Sequence, residues 1–126
     1  MNHSISAPHP TAVRLRDLDW GNVSDWLDRE GYAVVSGLLD ANTCQLLAND
    51  YDDDHRFRSR VVMARHGFGR GEYKYFDNPL PAVVGDLRTG LYPKLRDIAN
   101  RWNEALNVDE RYPATHAVYQ AQCHAA

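Results

Sequence analysis

The hydrophobic positions change their spacing along the chain, and each change predicts an element. Residues 1–13, with Pro8, Pro10 and little periodicity, predict a flexible tail ahead of a structured region 14–126. Asp19 or Asn22 caps a short helix running through Trp26 and Leu27, with Gly31 in the stop position. Tyr32-Ala-Val-Val35 reads as a short strand. Asp40 is a good N-cap for a helix over 41–50. Ala41, Cys44, Leu47 and Ala48 share one face of that helix, which assigns Cys44 to the core.

From Arg56 the period becomes two. Phe57, Val61 and Met63 fall on one face and Arg56, Arg58 and Arg60 on the other, as on a half-exposed strand. A glycine loop follows, and Tyr73 to Phe76 predicts the returning strand of a hairpin spanning 56–76. Asn78-Pro-Leu-Pro81 is punctuation, with Pro81 suited to the first turn of a helix. Val84, Leu87, Leu91, Leu95, Ile98, Trp102 and Leu106 then recur at three and four, the strongest helical signal in the chain. This stripe belongs to the core, and Trp102 and Asn103 need no functional explanation. Gly90 and Pro93 predict that the helix breaks in two, and Pro113 opens a last helical stretch toward Cys123. The expected fold class is α+β, with helices around about three short strands.

Composition narrows the picture modestly. A length of 126 residues allows one domain, and 44% hydrophobic with 25% charged residues describes a globular chain. The net charge of −3 predicts no partner, but its distribution does. Arg56, Arg58, Arg60, Arg65, Arg70 and Lys74 lie between positions 56 and 74, where Glu72 is the only acid. Asp50, Asp52, Asp53 and Asp54 precede them. No segment approaches the ~18 apolar residues of a membrane helix. No secretory pattern opens the chain, and two cysteines define no disulfide framework, so a soluble cytoplasmic protein is expected.

Candidate chemistry concentrates in one place. None of the six histidines is followed two places on by Asp or Glu, so the usual sequence form of an iron facial triad is missing, and no zinc spacing occurs. Asp52-Asp-Asp-His55 reads as a solvated helix end, and the neighbours Cys123 and His124 as an incidental pair. The segment 56–76 interleaves arginines with Phe57, Phe68, Tyr73, Tyr75 and Phe76, which supplies phosphate contacts and stacking surfaces for a nucleic acid. Its candidate substrate-binding residues are Arg65, His66, Arg70, Tyr73, Lys74 and Tyr75. The bland alternative is an amphipathic hairpin with a wet basic face and a packed aromatic one. Gly67-x-Gly69-x-Gly71 has neither the spacing nor the following helix of a dinucleotide fingerprint.

Four stretches together carry a family resemblance. They are Gly31-Tyr-Ala-Val-Val-Ser-Gly-Leu-Leu39, the run from Phe57 to Phe76 with its core Arg65-His-Gly-Phe-Gly-Arg-Gly-Glu-Tyr-Lys-Tyr75, Leu91-Tyr-Pro-Lys-Leu95, and Ile98-Ala-Asn-Arg-Trp-Asn103. Over roughly residues 19–125 the chain resembles the N-terminal part of bacterial 2-oxoglutarate and iron(II)-dependent oxygenases of the nucleic-acid-repair type. The resemblance implies a supporting region for a double-stranded β-helix (jelly-roll) barrel that would hold iron and 2-oxoglutarate. It also implies oxidative hydroxylation or dealkylation, with single-stranded or damaged DNA as substrate. No iron ligand or 2-oxoglutarate anchor can be carried over, so no cofactor is expected in this chain. The expectation is therefore a truncated, by itself inactive member whose barrel is missing or comes from another chain. The alternative is a non-enzymatic module binding nucleic acid or protein through the hairpin 56–76.

Overall fold

A computed structural model describes residues 10–126. The elements run α1 (Pro10–Arg16), α2 (Trp20–Glu30), α3 (Ala41–Asp50), β1 (Phe57–Val62), β2 (Glu72–Phe76), α4 (Ala82–Ala105) and α5 (His116–Ala125). The fold is α+β, with five helices and one two-stranded antiparallel sheet among the described residues. The chain divides into two compact units. One joins the described residues up to Leu38 with Val83–Ala126, and the other is Leu39–Ala82.

The first unit is helical and holds the buried core. The expected tail over 1–13 gives way at Pro10 to α1, while residues 1–9 lie outside the described part. Thr11 and Leu15, one helical turn apart, are 1% and 2% exposed. Gly90 of α4 explains the close approach of Leu15: a Cβ added there would lie 2.6 Å from Leu15 Cδ1. Asp19, not Asn22, caps α2, accepting from the Asn22 amide at 3.0 Å. Gly31 ends it with φ 78°. Arg101 of α4 grips Asp28 of α2 with two hydrogen bonds of 2.8 and 3.1 Å, and Trp102 Nε1 donates to the same carboxylate at 2.7 Å.

α4 runs unbroken for 24 residues with Pro93 inside it, contrary to the expected break. Proline removes one amide donor, but the remaining ladder and the packing of Gly90 on Leu15 hold the helix together. Its apolar stripe is covered unevenly. Ile98 is buried, as is Val83 next to the start of the stripe, whereas Leu95, Trp102 and, just past the helix end, Leu106 are exposed. The opposite stripe straps down the segment before α5. Tyr92 Oη donates to the Pro113 carbonyl at 2.7 Å, and Asn103 Nδ2 to that of Glu110 at 3.0 Å. Asn100 accepts from the Tyr112 amide at 2.7 Å and donates to the Tyr112 carbonyl at 3.1 Å, satisfying one residue's backbone from both sides. Thr115 then caps α5, which begins at His116, three positions beyond Pro113.

Two expected features are absent from the described residues. Tyr32–Val35 pairs with no strand there, and Val34 is 81% exposed; alternating apolar character alone does not create a ladder. Cys44 is exposed, not core. α3 begins as predicted, with Asp40 accepting from Thr43 at 2.7 Å, but no side chain on it is buried. In a unit of this size little remains to cover the Ala41, Cys44 and Ala48 face.

In the second unit β1 and β2 form the expected hairpin, with Ser59 opposite Tyr75, Arg60 opposite Lys74, Val61 opposite Tyr73 and Val62 opposite Glu72. A bulge between Phe57 and Ser59 places Phe57 opposite Phe76. The extra residue shifts the alternation, so Phe57 shares a face with Arg60 and Lys74, and Val61 lies on the other. The simple period-two reading, with Phe57 and Val61 together, fails at that bulge.

Candidate nucleic-acid interface

The hairpin presents two faces of different chemistry. On one, Phe57 and Phe76 stack at 4.9 Å and Tyr51, from the end of α3, meets Phe57 edge-on at 6.0 Å. Lys74 closes this face. Its side chain is 7% exposed, and Nζ donates to the Tyr51 carbonyl at 2.6 Å and to Asp54 at 3.3 Å. The ammonium also lies 4.2 Å from the Tyr51 ring centroid. Tyr51 Oη donates to Glu72 at 3.1 Å; desolvation, and then that hydrogen bond, raise its phenol above the usual 10.0. Lys74 is thus a covered cation with two hydrogen bonds and an aromatic ring against its ammonium.

The other face carries Tyr73 and Tyr75, both about half exposed, in an edge-to-face pair with centroids 5.5 Å apart. Desolvation, with Tyr75 beside it, raises the Tyr73 phenol above its ordinary value, so it presents a neutral ring. The bulged residue Arg58 turns to this face and lies over the Tyr75 ring at 5.3 Å. Cation and aromatic surface are therefore adjacent, the arrangement that suits a base and its phosphate.

Arg65 and His66 lie in a 3-10 turn, Met63–His66, at the end of β1, and Arg70 lies in the following loop; all three are exposed. Gly67, Gly69 and Gly71 all have positive φ, of 71°, 93° and 110°, conformations that other residues adopt only with strain. Met63 N donates to the Gly71 carbonyl at 2.9 Å and Phe68 N to the Met63 carbonyl at 3.3 Å, closing the loop on itself. The loop's nearest acid, Glu72, is paired with Arg60 at 3.4 Å.

The structure thus places five of the six predicted residues, Arg65, His66, Arg70, Tyr73 and Tyr75, in the exposed part of one hairpin, and Lys74 on its packed face. It adds Arg58, which alternation assigned to the face away from Phe57 and Val61; only the bulge brings it over Tyr75. Phe68, one of several aromatics in the segment 56–76, stands alone at the loop tip, 74% exposed.

The acidic cluster before β1 has structural partners. Asp53 caps the turn before β1 and pairs with Arg56 at 3.4 Å, and Asp50 meets the same guanidinium at 3.7 Å. Cys123 and His124 are consecutive exposed residues on α5 and do not face one another. Among the described residues no three His, Cys, Asp or Glu side chains gather as a metal site. No helix among them is long and apolar enough to cross a membrane.

No curated protein and no solved structure matches the chain. Residues 71–126, from the end of the glycine loop through β2, α4 and α5, match the model of a family described as an oxygenase catalysing oxidative methylation of damaged DNA. That match covers somewhat less than half of the chain and supports an oxygenase family acting on damaged DNA.

Proposed function

We propose that this chain is the substrate-facing part of an oxygenase that acts on damaged nucleic acid, and that the hairpin 56–76 holds the strand. The observation that carries the reading is the juxtaposition of Arg58 with the Tyr73–Tyr75 pair, beside a loop bearing Arg65, His66 and Arg70. The family match, which begins at Gly71 and includes both tyrosines, points to the same substrate. Arg58, Arg65 and Arg70 would contact phosphates and the tyrosine rings would stack on a base. The finer reading, an oxidation using iron(II) and 2-oxoglutarate on a jelly-roll barrel, rests on the sequence resemblance. The role we assign to the described hairpin residues is binding and orientation of the strand. The alternative of a purely non-enzymatic module gains nothing from the family match.

The test is binding of a fluorescent single-stranded oligonucleotide, measured by anisotropy over a salt series. Three phosphate contacts should give a slope of log affinity against log salt of about −2, at ~0.7 per contact. Replacing Arg58, Arg65 and Arg70 together by Ala should flatten the slope. Tyr75→Ala should weaken binding by about tenfold, as expected for one lost stack. Absence of binding at low salt, or a slope unaffected by the triple substitution, would refute the reading.

A further inference from the structure

We infer that Phe68 is a wedge that enters the base stack of a nucleic acid duplex and opens it beside the Tyr73–Tyr75 pair; this rests on the nucleic-acid reading above. A large apolar side chain 74% exposed at a loop tip contributes nothing to the packing of its own unit. It sits between Gly67 and Gly69, whose positive φ values turn the backbone on either side of it. The bonds from Met63 N to Gly71 O and from Phe68 N to Met63 O fix where that turn begins and ends. The ring is therefore presented by a closed loop.

Charge identifies the occupant. Arg65 and His66 precede Phe68 and Arg70 follows it, all exposed, while the nearest acid is held by Arg60. A lone apolar ring surrounded by cations matches a polyanion with an apolar interior. A base step flanked by phosphates has this composition, and proteins that kink duplexes insert Phe between bases in this way. A vesicle of anionic lipid shares the charge, but the adjoining Tyr73, Tyr75 and Arg58 surface favours a planar base over acyl chains. Unstacking also gives a reason for the wedge: a damaged base inside a duplex must leave the stack before a second site can act on it.

The experiment uses the 126-residue chain and a duplex containing 2-aminopurine, whose emission rises when it is unstacked. The native chain should raise the emission on binding. Phe68→Ala should abolish the rise and weaken duplex binding by about tenfold while leaving the salt slope unchanged. Phe68→Trp should retain the rise. An equal rise with Phe68→Ala would overturn the wedge yet leave strand binding by the arginines and tyrosines intact. Failure of the native chain to bind either oligonucleotide, with Phe68-dependent sedimentation on phosphatidylglycerol vesicles instead, would overturn both readings.

Discussion

Lys74 donates a 2.6 Å hydrogen bond to the carbonyl of Tyr51, and its ammonium lies 4.2 Å from the centroid of the same residue's ring. One cation thus ties the end of α3 to β2 through both backbone and side chain. This makes Lys74 a fastening and separates it from Arg65 and Arg70, its neighbours in the basic run.

Lys74→Ala should accordingly destabilise the Leu39–Ala82 unit by about 2 kcal/mol, the size of a charged hydrogen bond lost from a covered site. The Asp54 partner is well exposed and adds little. Urea unfolding followed by tyrosine fluorescence would measure the loss. The salt slope of strand binding, compared where the variant is folded, should not change. A flattened slope with unaltered stability would return Lys74 to the binding surface.

Gly90 and Leu15 supply a second test. Alanine at an exposed helical position would gain about 1 kcal/mol over glycine, but at position 90 its Cβ would fall 2.6 Å from Leu15 Cδ1. Leu15 is 2% exposed, and displacing its Cδ1 to admit the new methyl should cost ~1–3 kcal/mol of overpacking, which outweighs the gain. Gly90→Ala is expected to lower the melting temperature. In a Leu15→Ala background the same change should become neutral or stabilising. If the two substitutions add independently, the contact does not govern the site.

The sequence made the capped helices and the hairpin legible because their signals are local. Asp19, Gly31 and Asp40 act within a turn of their own position, and Tyr73–Phe76 alternates cleanly. What it hid depends on partners distant in the chain. Pro93 looks like a break until Gly90 is seen against Leu15, and Cys44 looks buried until α3 is seen to have no buried side chain. The site shows the same contrast. The exposed loop residues follow from composition, whereas the exchange of Arg58 for Lys74 follows from a one-residue bulge that no periodicity announces.

Asp28 predicts an acid-sensitive fastening between α2 and α4. Hydrogen bonds from Arg101, and then from Trp102, hold its carboxyl below the ordinary value of 3.8. A depressed folded-state pKa stabilises the fold above the unfolded value and loses that effect as pH falls through the folded one. The contribution should therefore be complete above about pH 4 and fade below it. Asp28→Asn should be less stable than the native chain at neutral pH, with the gap narrowing toward pH 2–3. A gap constant down to that range would show that the Arg101 pair does not couple to protonation.

The buried hydrophobic side chains, Leu15, Val83 and Ile98, all belong to the unit that contains α1, α2 and α5. Among the described residues of Leu39–Ala82 none is buried; that unit is held by half-covered rings, the Lys74 network and one two-stranded ladder. Two strands alone are marginal in water, so the hairpin should open at a lower free energy than α4. Hydrogen exchange read by mass spectrometry should show fast exchange over 57–76 and slow exchange around Val83 and in the Ile98 turn. A bound strand should slow exchange selectively over 57–76, because a ligand that engages only the folded hairpin stabilises it by mass action. Uniform protection of both units without ligand would mean that the second is firmer than its burial implies. Protection elsewhere on adding a strand would place the binding surface outside the hairpin.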